Sequence, residues 1–516
     1  MTQLPVLRRL LLACAAALLV ATATAAAAAP PAVQIQVDAQ ATGTPFPHFW
    51  ETTFGSGRAS LSLRDDYRRD LDAVHKATGF SYIRFHGIFD HDVGLVNREP
   101  DGSIRYNFSY IDQIYDGLLE HHVKPFVELS FMPRELSSDP KALQEFWYHP
   151  NIAPPKSYAE WDAMIAAFAK HLVARYGIDE VASWYFEVWN EPNIGFWAGK
   201  PAQPTYFTLY DHTARALKSV SPRIRVGGPS TAQGAWATDF LAHAKKDDVP
   251  VDFVSTHVYG DDTAENVFHT DENIPRRDMV CRTVDKVHKE ILASPYPHLP
   301  LVFSEYNASY ANLPNVTDTT YMGPWMANTI RQCAGKIQMM SYWSFSDVFE
   351  EQGIVRNPFY GGFGLIAADR IQKPAFNAFA LLHKLGDRQL KIASDSALAT
   401  RRDDGTVVLA LWNYALPVGK TASYTPGKPA GAPKHFSVDV RNLSGGAHAT
   451  VWRVDETHGN AVALFDKMGR PDSPSREQLV QLREAGQLAA PEQLDVNNGK
   501  FEIDIPPQGL VVVELR

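Results

Sequence analysis

Two glutamates set the chemical question. Phe186-Glu187-Val188-Trp189-Asn190-Glu191-Pro192-Asn193 runs an apolar, aromatic stretch into a carboxylate flanked by an amide and a proline. Phe303-Ser304-Glu305-Tyr306-Asn307 ends a second such stretch, and Ser255-Thr256-His257-Val258-Tyr259-Gly260 ends a third in an imidazole and a phenol. A lone glutamate at a strand end is usually solvated or caps a helix. Asn190-Glu191-Pro192 is more specific, because Pro192 stops the strand where the carboxylate must project and Asn190 brings an amide beside it. Two facing carboxyl groups can cleave an acetal: one protonates the leaving oxygen, and the other attacks the anomeric carbon or activates water. In the covalent version they stand about 5–5.5 Å apart with opposite protonation states at rest. Glu305 must then be ionised, so donors such as Arg84 or Tyr259 should favour its charge. Glu191 must keep its proton, so burial and a charged neighbour should raise its pKa.

Such residues need a frame that brings distant strand ends together. Short β-rich runs are expected at 49–54, 82–86, 124–131, 184–189, 224–227, 252–259, 301–306 and 337–345. Amphipathic stretches alternate with them, and Trp161, Ile165, Phe168, Leu172 and Val173 repeat at the spacing of one buried helix face. Eight strands each followed by a helix imply a (β/α)₈ TIM barrel over residues 49–385, with its active site at the C-terminal strand ends. A doubly wound sheet would carry a Gly-rich phosphate turn after the first strand, and none is present. Glu191 and Glu305 then lie at the ends of strands four and seven, across the barrel mouth.

Strand parity supplies neighbours. Arg84 and His86 share one face of strand two, and His257 and Tyr259 share one face of strand six. Trp343, at the end of strand eight, offers an indole on which the C–H face of a sugar ring could stack, or else belongs to the barrel core. Glu187 falls one layer below Glu191 and reads as an internal partner of Arg84. Glu128 and Glu51, at or near other strand ends, lack a flanking Asn or Pro and read as structural. No close His/carboxylate or Cys/His constellation with metal-ligand spacing appears, and the His121-His122 pair reads as solvent-facing, so no metal and no cofactor are expected.

Phe186–Asn193, Thr256–Gly260, Ser304–Tyr310 and the SYWSFSDVFEE run at Ser341–Glu351 resemble glycoside hydrolase family 39, the family of β-xylosidases and α-L-iduronidases. The likeness covers almost the whole chain after its leader, and Glu456–Ala485 looks like the xylosidase branch. The resemblance implies Glu191 as acid/base, Glu305 as nucleophile, a retaining outcome, and contacts from His86, Asn190 and His257 to sugar hydroxyls, Asn190 serving the 2-hydroxyl. The iduronidase branch carries a lysine two residues after the strand-six histidine, where this chain has Tyr259. Strand eight ends in Glu350 and Glu351, one of which, Glu351 by preference, should reach the outer hydroxyls of the bound sugar. An acidic group there would repel a uronate and accept hydrogen bonds from a neutral pentose. The expectation is therefore an exo-acting β-D-xylosidase on xylo-oligosaccharides, with α-L-iduronidase or α-L-arabinosidase as enzymatic alternatives. A barrel that binds carbohydrate without chemistry is disfavoured by the presence of both glutamates.

After residue 386 the text changes to alternating strands broken by Pro426-Gly427, Gly431, Gly445-Gly446 and Pro506-Pro507, which reads as a β-sandwich over 386–516. A charged insertion at 455–498 should carry a short helix at 475–485. Residues 30–48 form a linker in which Val33–Asp38 alternates like a strand available to that distant sheet. Trp412 and Trp452 fall inside alternating strands and read as core, which favours a brace over a carbohydrate-binding module.

Arg8, Arg9, the apolar run Leu10–Val20 and the Ala/Thr-rich stretch that follows read as an export signal over residues 1–29. The twin-arginine and Cys14 lipid-attachment variants fit less well. The expected location is periplasmic or extracellular. Cys281 and Cys333 remain, on helices flanking strand seven, as two buried thiols or as a disulfide that an oxidising compartment would permit. A net charge of −9 argues against general affinity for nucleic acid or anionic membrane, leaving an oligosaccharide as the expected partner.

Overall fold

Eight parallel strands close on one another in chain order: Thr53–Gly55, Tyr82–Phe85, Lys124–Leu129, Tyr185–Val188, Arg225–Thr231, Phe253–Tyr259, Leu301–Asn307 and Met339–Tyr342. The ring closes where Ser341 pairs with Thr53. This is a computed structural model, and it describes residues 31–419, 422–443 and 448–516. The expected export signal at 1–29 and the Gly445-Gly446 breaker lie outside the described residues.

Each barrel strand is followed by a helix packed on its outer side. The helix Tyr158–Tyr176 shows why: Ser157 caps it by accepting from the Glu160 N–H, and Trp161, Ile165, Phe168 and Leu172 are buried along one side. Gly177, at φ 81°, ends it in a conformation that favours glycine. Inside the barrel the residues stack in layers. Phe126, Phe253, Val302 and Met339, with Tyr82 and Tyr185 packed against them, form an apolar floor. Two residues further along their strands come Arg84, Glu128, Glu187 and Ser304, all buried. The period of two therefore lifts the polar layer directly above the apolar one.

The C-terminal region is a two-layer β-structure. A seven-stranded sheet runs in the order Thr44–Pro45, Arg388–Leu390, Ala397–Arg401, Val407–Trp412, Leu510–Leu515, His448–Val454, Glu492–Asp495. Ile35, Val438 and Ile503 from the three-stranded sheet Val33–Asp38, Lys434–Arg441, Lys500–Ile505 pack against Leu409, Val451 and Val513 from the larger one. Val33–Asp38 pairs in parallel with Lys434–Arg441.

The charged insertion holds two helices, not one: Ala461–Lys467 and Arg476–Gly486. The second carries a Ser475/Gln478 capping box. The first is seven residues long with no side-chain cap, so its sequence signal was weak. Phe465 and Leu482 from the two helices pack with Phe359 and Ile371, which brings the insertion down onto the barrel segment after strand eight. Trp412 is buried. Trp452 is not core: it is half-buried and lines a surface cavity, with the Lys384 ammonium 4.0 Å from its ring centroid.

Cys281, on Arg276–Leu292, and Cys333, at the end of Met322–Cys333, are joined by a disulfide with their Cα atoms 5.1 Å apart. The helices before and after strand seven are thereby tied in the outer ring. Among the described residues no helix is long and apolar enough to cross a membrane.

Candidate active site

The two glutamates meet at the barrel mouth. Trp189 at φ 71° and Glu191 at φ 43° both adopt left-handed backbone, so the chain turns sharply as it leaves strand four. The Glu191 N–H donates to the Ser230 carbonyl at 2.8 Å, and the Trp189 indole N–H donates to the Phe196 carbonyl at 2.8 Å, which together hold this costly turn. One oxygen each of Glu191 and Glu305 lies within 4.8 Å of the other and of a His257 nitrogen.

Arg84 organises the layer beneath. Its Nε donates to Glu187 at 2.6 Å and its Nη1 to Glu305 at 2.7 Å, while Nη2 donates to the Asn190 carbonyl oxygen at 2.9 Å and lies 2.8 Å from Glu128. Glu187 is thus a partner of Arg84. Glu128, read as structural from the sequence, is drawn into the same network and also takes His86 Nδ1 at 2.7 Å. The other face of Glu305 accepts the Tyr259 hydroxyl at 2.7 Å.

These contacts set the two carboxyl groups apart. Burial pushes both upward. For Glu191 the charges of Glu305 and Asp262 push further, well above the ordinary range. For Glu305, Arg84, His86 and the Tyr259 hydrogen bond pull back against burial, leaving a smaller rise. The shared proton therefore resides on Glu191 and the charge on Glu305. Burial drives Tyr259 well above its usual value, so it remains a donor. His86 would be lowered by burial, but Glu128, Glu351 and Glu305 around it hold it up to about 10, as an imidazolium. His257 goes the other way: burial, Arg84 and His86 push it well down, so it is neutral.

A cavity of about 310 Å³ opens over the pair, lined by His86, Asn190, Tyr259, Trp343 and Glu351 among others. His257 lies just below, fully buried against Glu191. Trp343 packs with Tyr259, Phe349 and Phe363. It can lie there only because position 55 is glycine: a Cβ on Gly55 would sit 2.2 Å from the indole. Glu350 and Glu351 part company. Glu350 turns away to Arg64 at 2.9 Å and Arg58 at 3.1 Å, whereas Glu351 faces the cavity 3.5 Å from His86 Nε2.

Two sequence readings are corrected. Glu51 precedes its strand, which starts at Thr53, and so sits at the opposite rim, 2.5 Å from His48 and 2.8 Å from His383. The chain also holds close His/carboxylate constellations: Glu51 with these two histidines, and His86 and His257 with the glutamates of the mouth. Their members come from different strands and helices, so linear spacing could not reveal them. Phe146, Gln233, Asp262 and Tyr310 also line the cavity without having been singled out. Phe146 comes from the long segment after strand three and Gln233 from a turn after strand five, where no periodicity marks them. Asp262 had a usable signal, two residues beyond Gly260.

A closed barrel with paired carboxyl groups on strands four and seven, set to opposite protonation, is the architecture of a glycoside hydrolase. Residues 33–496 match glycosyl hydrolases family 39, and the chain belongs to that family. It is 38% identical over 471 residues to the β-xylosidase of Geobacillus stearothermophilus, covering 89% of this chain and 90% of that protein. The crystal structure of a monomeric β-xylosidase from Caulobacter crescentus superposes with a TM-score of 0.86 at 36% identity, covering 94% of this chain and 99% of that one. Mouse α-L-iduronidase is more distant, 26% identical over 204 residues that cover 38% of this chain and 30% of that protein.

Proposed function

We propose that the protein is a retaining exo-β-D-xylosidase that shortens xylo-oligosaccharides from the non-reducing end. The observation that carries the reading is that one oxygen of each carboxyl group lies within 4.8 Å of the other, which fits the about 5–5.5 Å separation of a retaining pair better than the about 6.5–9.5 Å of an inverting one. In the first step Glu305 attacks the anomeric carbon while the glycosidic oxygen leaves with the proton of Glu191. In the second, water gives a proton to Glu191, bonds to the anomeric carbon and releases Glu305. The Asn190 carbonyl oxygen is taken by Arg84, so its amide nitrogen is the group left for the 2-hydroxyl.

The lining supports a neutral pentose. Among the described residues no Lys or Arg lines the cavity, and the cation there, His86, stands between Glu128 and Glu351. A uronate would need an uncommitted cation at this depth. His86, Trp343, Glu351 and Phe363 are buried members of the lining, whereas Ile194 and Tyr310, on the loops after strands four and seven, are exposed. The glycone then sits among the buried lining residues and the leaving sugar at the exposed ones. The Cys281–Cys333 bridge supports export to an oxidising compartment.

NMR of an early aryl β-D-xyloside digest tests the stereochemistry. β-Xylose should appear first and mutarotate afterwards, and α-xylose as first product would refute retention.

A further inference from the structure

His257 sits between the two carboxyl groups, and its partners fix where its hydrogen lies. Glu187 is ion-paired with Arg84 through one oxygen, and its other oxygen is 2.5 Å from Ser304 Oγ. A carboxylate offers only acceptors, so the Ser304 hydrogen points to Glu187. Ser304 Oγ is then an acceptor toward His257 Nε2, 3.2 Å away, and that nitrogen bears the imidazole hydrogen. Arg84 Nη2 at 3.4 Å and Ser230 Oγ at 3.5 Å also face Nε2. They are longer contacts, and Nη2 is already engaged by Asn190 and Glu128. A neutral imidazole has a single N–H, so Nδ1 carries a lone pair; it faces Glu191 Oε1 at 3.1 Å, with Glu305 Oε1, already held by Arg84, further off at 3.6 Å.

We infer that Ser304 and Glu187 are positioning residues for the acid/base: by fixing the Nε2–H tautomer of His257 they make its Nδ1 an acceptor that keeps the hydrogen on Glu191. The inference rests on the acid/base reading of Glu191. Its chemical effect is local. The protonated acid donates to Nδ1, whereas the bare carboxylate faces a lone pair, with Glu305 and Asp262 adding negative charge and Arg84 and His86 opposing it. Glu191 thus stays loaded until the glycosidic oxygen takes its hydrogen. The carboxylate left behind is a strong base toward the water of the second step. No transfer through the serine is required; the chain of hydrogen bonds Glu187, Ser304, His257 sets an orientation and stays put.

Ser304→Ala frees His257 to adopt the Nδ1–H tautomer, which would donate to the Glu191 carboxylate and stabilise its charge. The basic limb of the kcat/KM profile should move down by about one to two pH units and further than the acidic limb, since Nδ1 is nearer to Glu191 than to Glu305. Ser304→Thr, which keeps the hydroxyl, should restore the basic limb. A folded, active Ser304→Ala enzyme with an unmoved basic limb overturns the inference. Long-range ¹H–¹⁵N NMR of the wild-type enzyme reads the tautomer without turnover, with His257→Phe identifying the signal. A protonated Nε2 and a bare Nδ1 are expected, and a protonated Nδ1 overturns the inference even if the serine variant does not fold. An error in the role of Glu191 would show elsewhere, in the azide rescue of Glu191→Ala, and would leave the NMR result intact.

Discussion

Arg84 Nη1 donates to Glu305 Oε1 at 2.7 Å, joining the second barrel strand to the seventh beneath the site. The same guanidinium holds Glu187, Asn190 and Glu128, so one fully buried cation compensates three carboxylates. Removing it by Arg84→Gln leaves Glu187 without a cation, and Glu128 and Glu305 to their contacts with His86 and Tyr259, an effect of roughly 3–5 kcal/mol for a broken buried pair. Denaturant unfolding should register that loss. In Arg84→Lys, which keeps a charge but cannot make the forked contacts, Glu305 should titrate higher, and the acidic limb of activity should shift upward in pH. An acidic limb left in place would separate Arg84 from the nucleophile's charge.

The roles of the two glutamates separate by leaving group. Glu305→Ala should abolish turnover of every substrate, because no covalent intermediate forms. Glu191→Ala should lose about 10²–10⁴-fold on xylobiose, where the leaving oxygen needs a proton, and far less on activated aryl xylosides. Added azide should restore part of the aryl rate and give β-xylosyl azide. Equal losses on both substrate types, without rescue, would reverse the assignment.

His86 gives the fold a pH dependence of known sign. Its folded pKa, held up to about 10 by Glu128, Glu351 and Glu305, lies above the ordinary 6.5. Its contribution to stability is therefore fully present below about 6.5 and is lost as pH rises toward 10. Thermal unfolding across that window should show a decline that His86→Gln lacks. Parallel curves for the two proteins would mean that another group carries the loss.

The disulfide closes a span of 52 residues. Bridges typically contribute roughly 2–4 kcal/mol, and chain entropy for a span of this length puts this one near the top of that range. Cys281→Ser should lower the melting temperature accordingly, and titration of the unfolded, non-reduced protein starting at residue 31 should find no free thiol. Two free thiols would contradict the bridge. The sequence placed both cysteines on helices flanking strand seven but could not fix their separation, because 5.1 Å between Cα atoms depends on how the two helices rotate in the outer ring.

That limit recurs across the molecule. The barrel was legible because its strands alternate with amphipathic helices, and Glu191 was legible because Asn190 and Pro192 flank it. Arg84 and Glu187 were legible as partners because strand parity places them in one layer. What escaped was set by long-range contact. Glu350 and Glu351 are adjacent in sequence, yet Arg58 and Arg64, nearly three hundred residues away, draw Glu350 out of the cavity. Glu128 looked like an ordinary buried acid until the fold set it against both Arg84 and His86. The helix Ala461–Lys467 lacks a cap and is held by Phe359 and Ile371 of the barrel, contacts that no local pattern records.

We expect substrate choice to turn on Glu351. It is 7% exposed, faces the cavity and has one oxygen without a hydrogen-bond partner among the described residues. That oxygen, Oε1, is buried 3.5 Å from His86 Nε2, so the acceptor capacity for an outer hydroxyl of a bound sugar is that of the carboxylate's cavity side, where another carboxylate would be repelled. Aryl β-D-xylosides should therefore be cleaved efficiently, and aryl α-L-iduronides not at all. Aryl β-D-glucosides should react weakly, since their exocyclic carbon must fit a half-cavity already enclosed by Trp343 and Phe363. Glu351→Gln should raise KM for the xyloside, because the amide accepts fewer hydrogen bonds, with a smaller effect on kcat. Glu350→Gln acts only through its hold on Arg58 and Arg64, so it should change KM less than Glu351→Gln does. Comparable kcat/KM for an iduronide and a xyloside would sink the reading and require an uncommitted cation, which the described lining, where His86 is held by Glu128 and Glu351, does not offer.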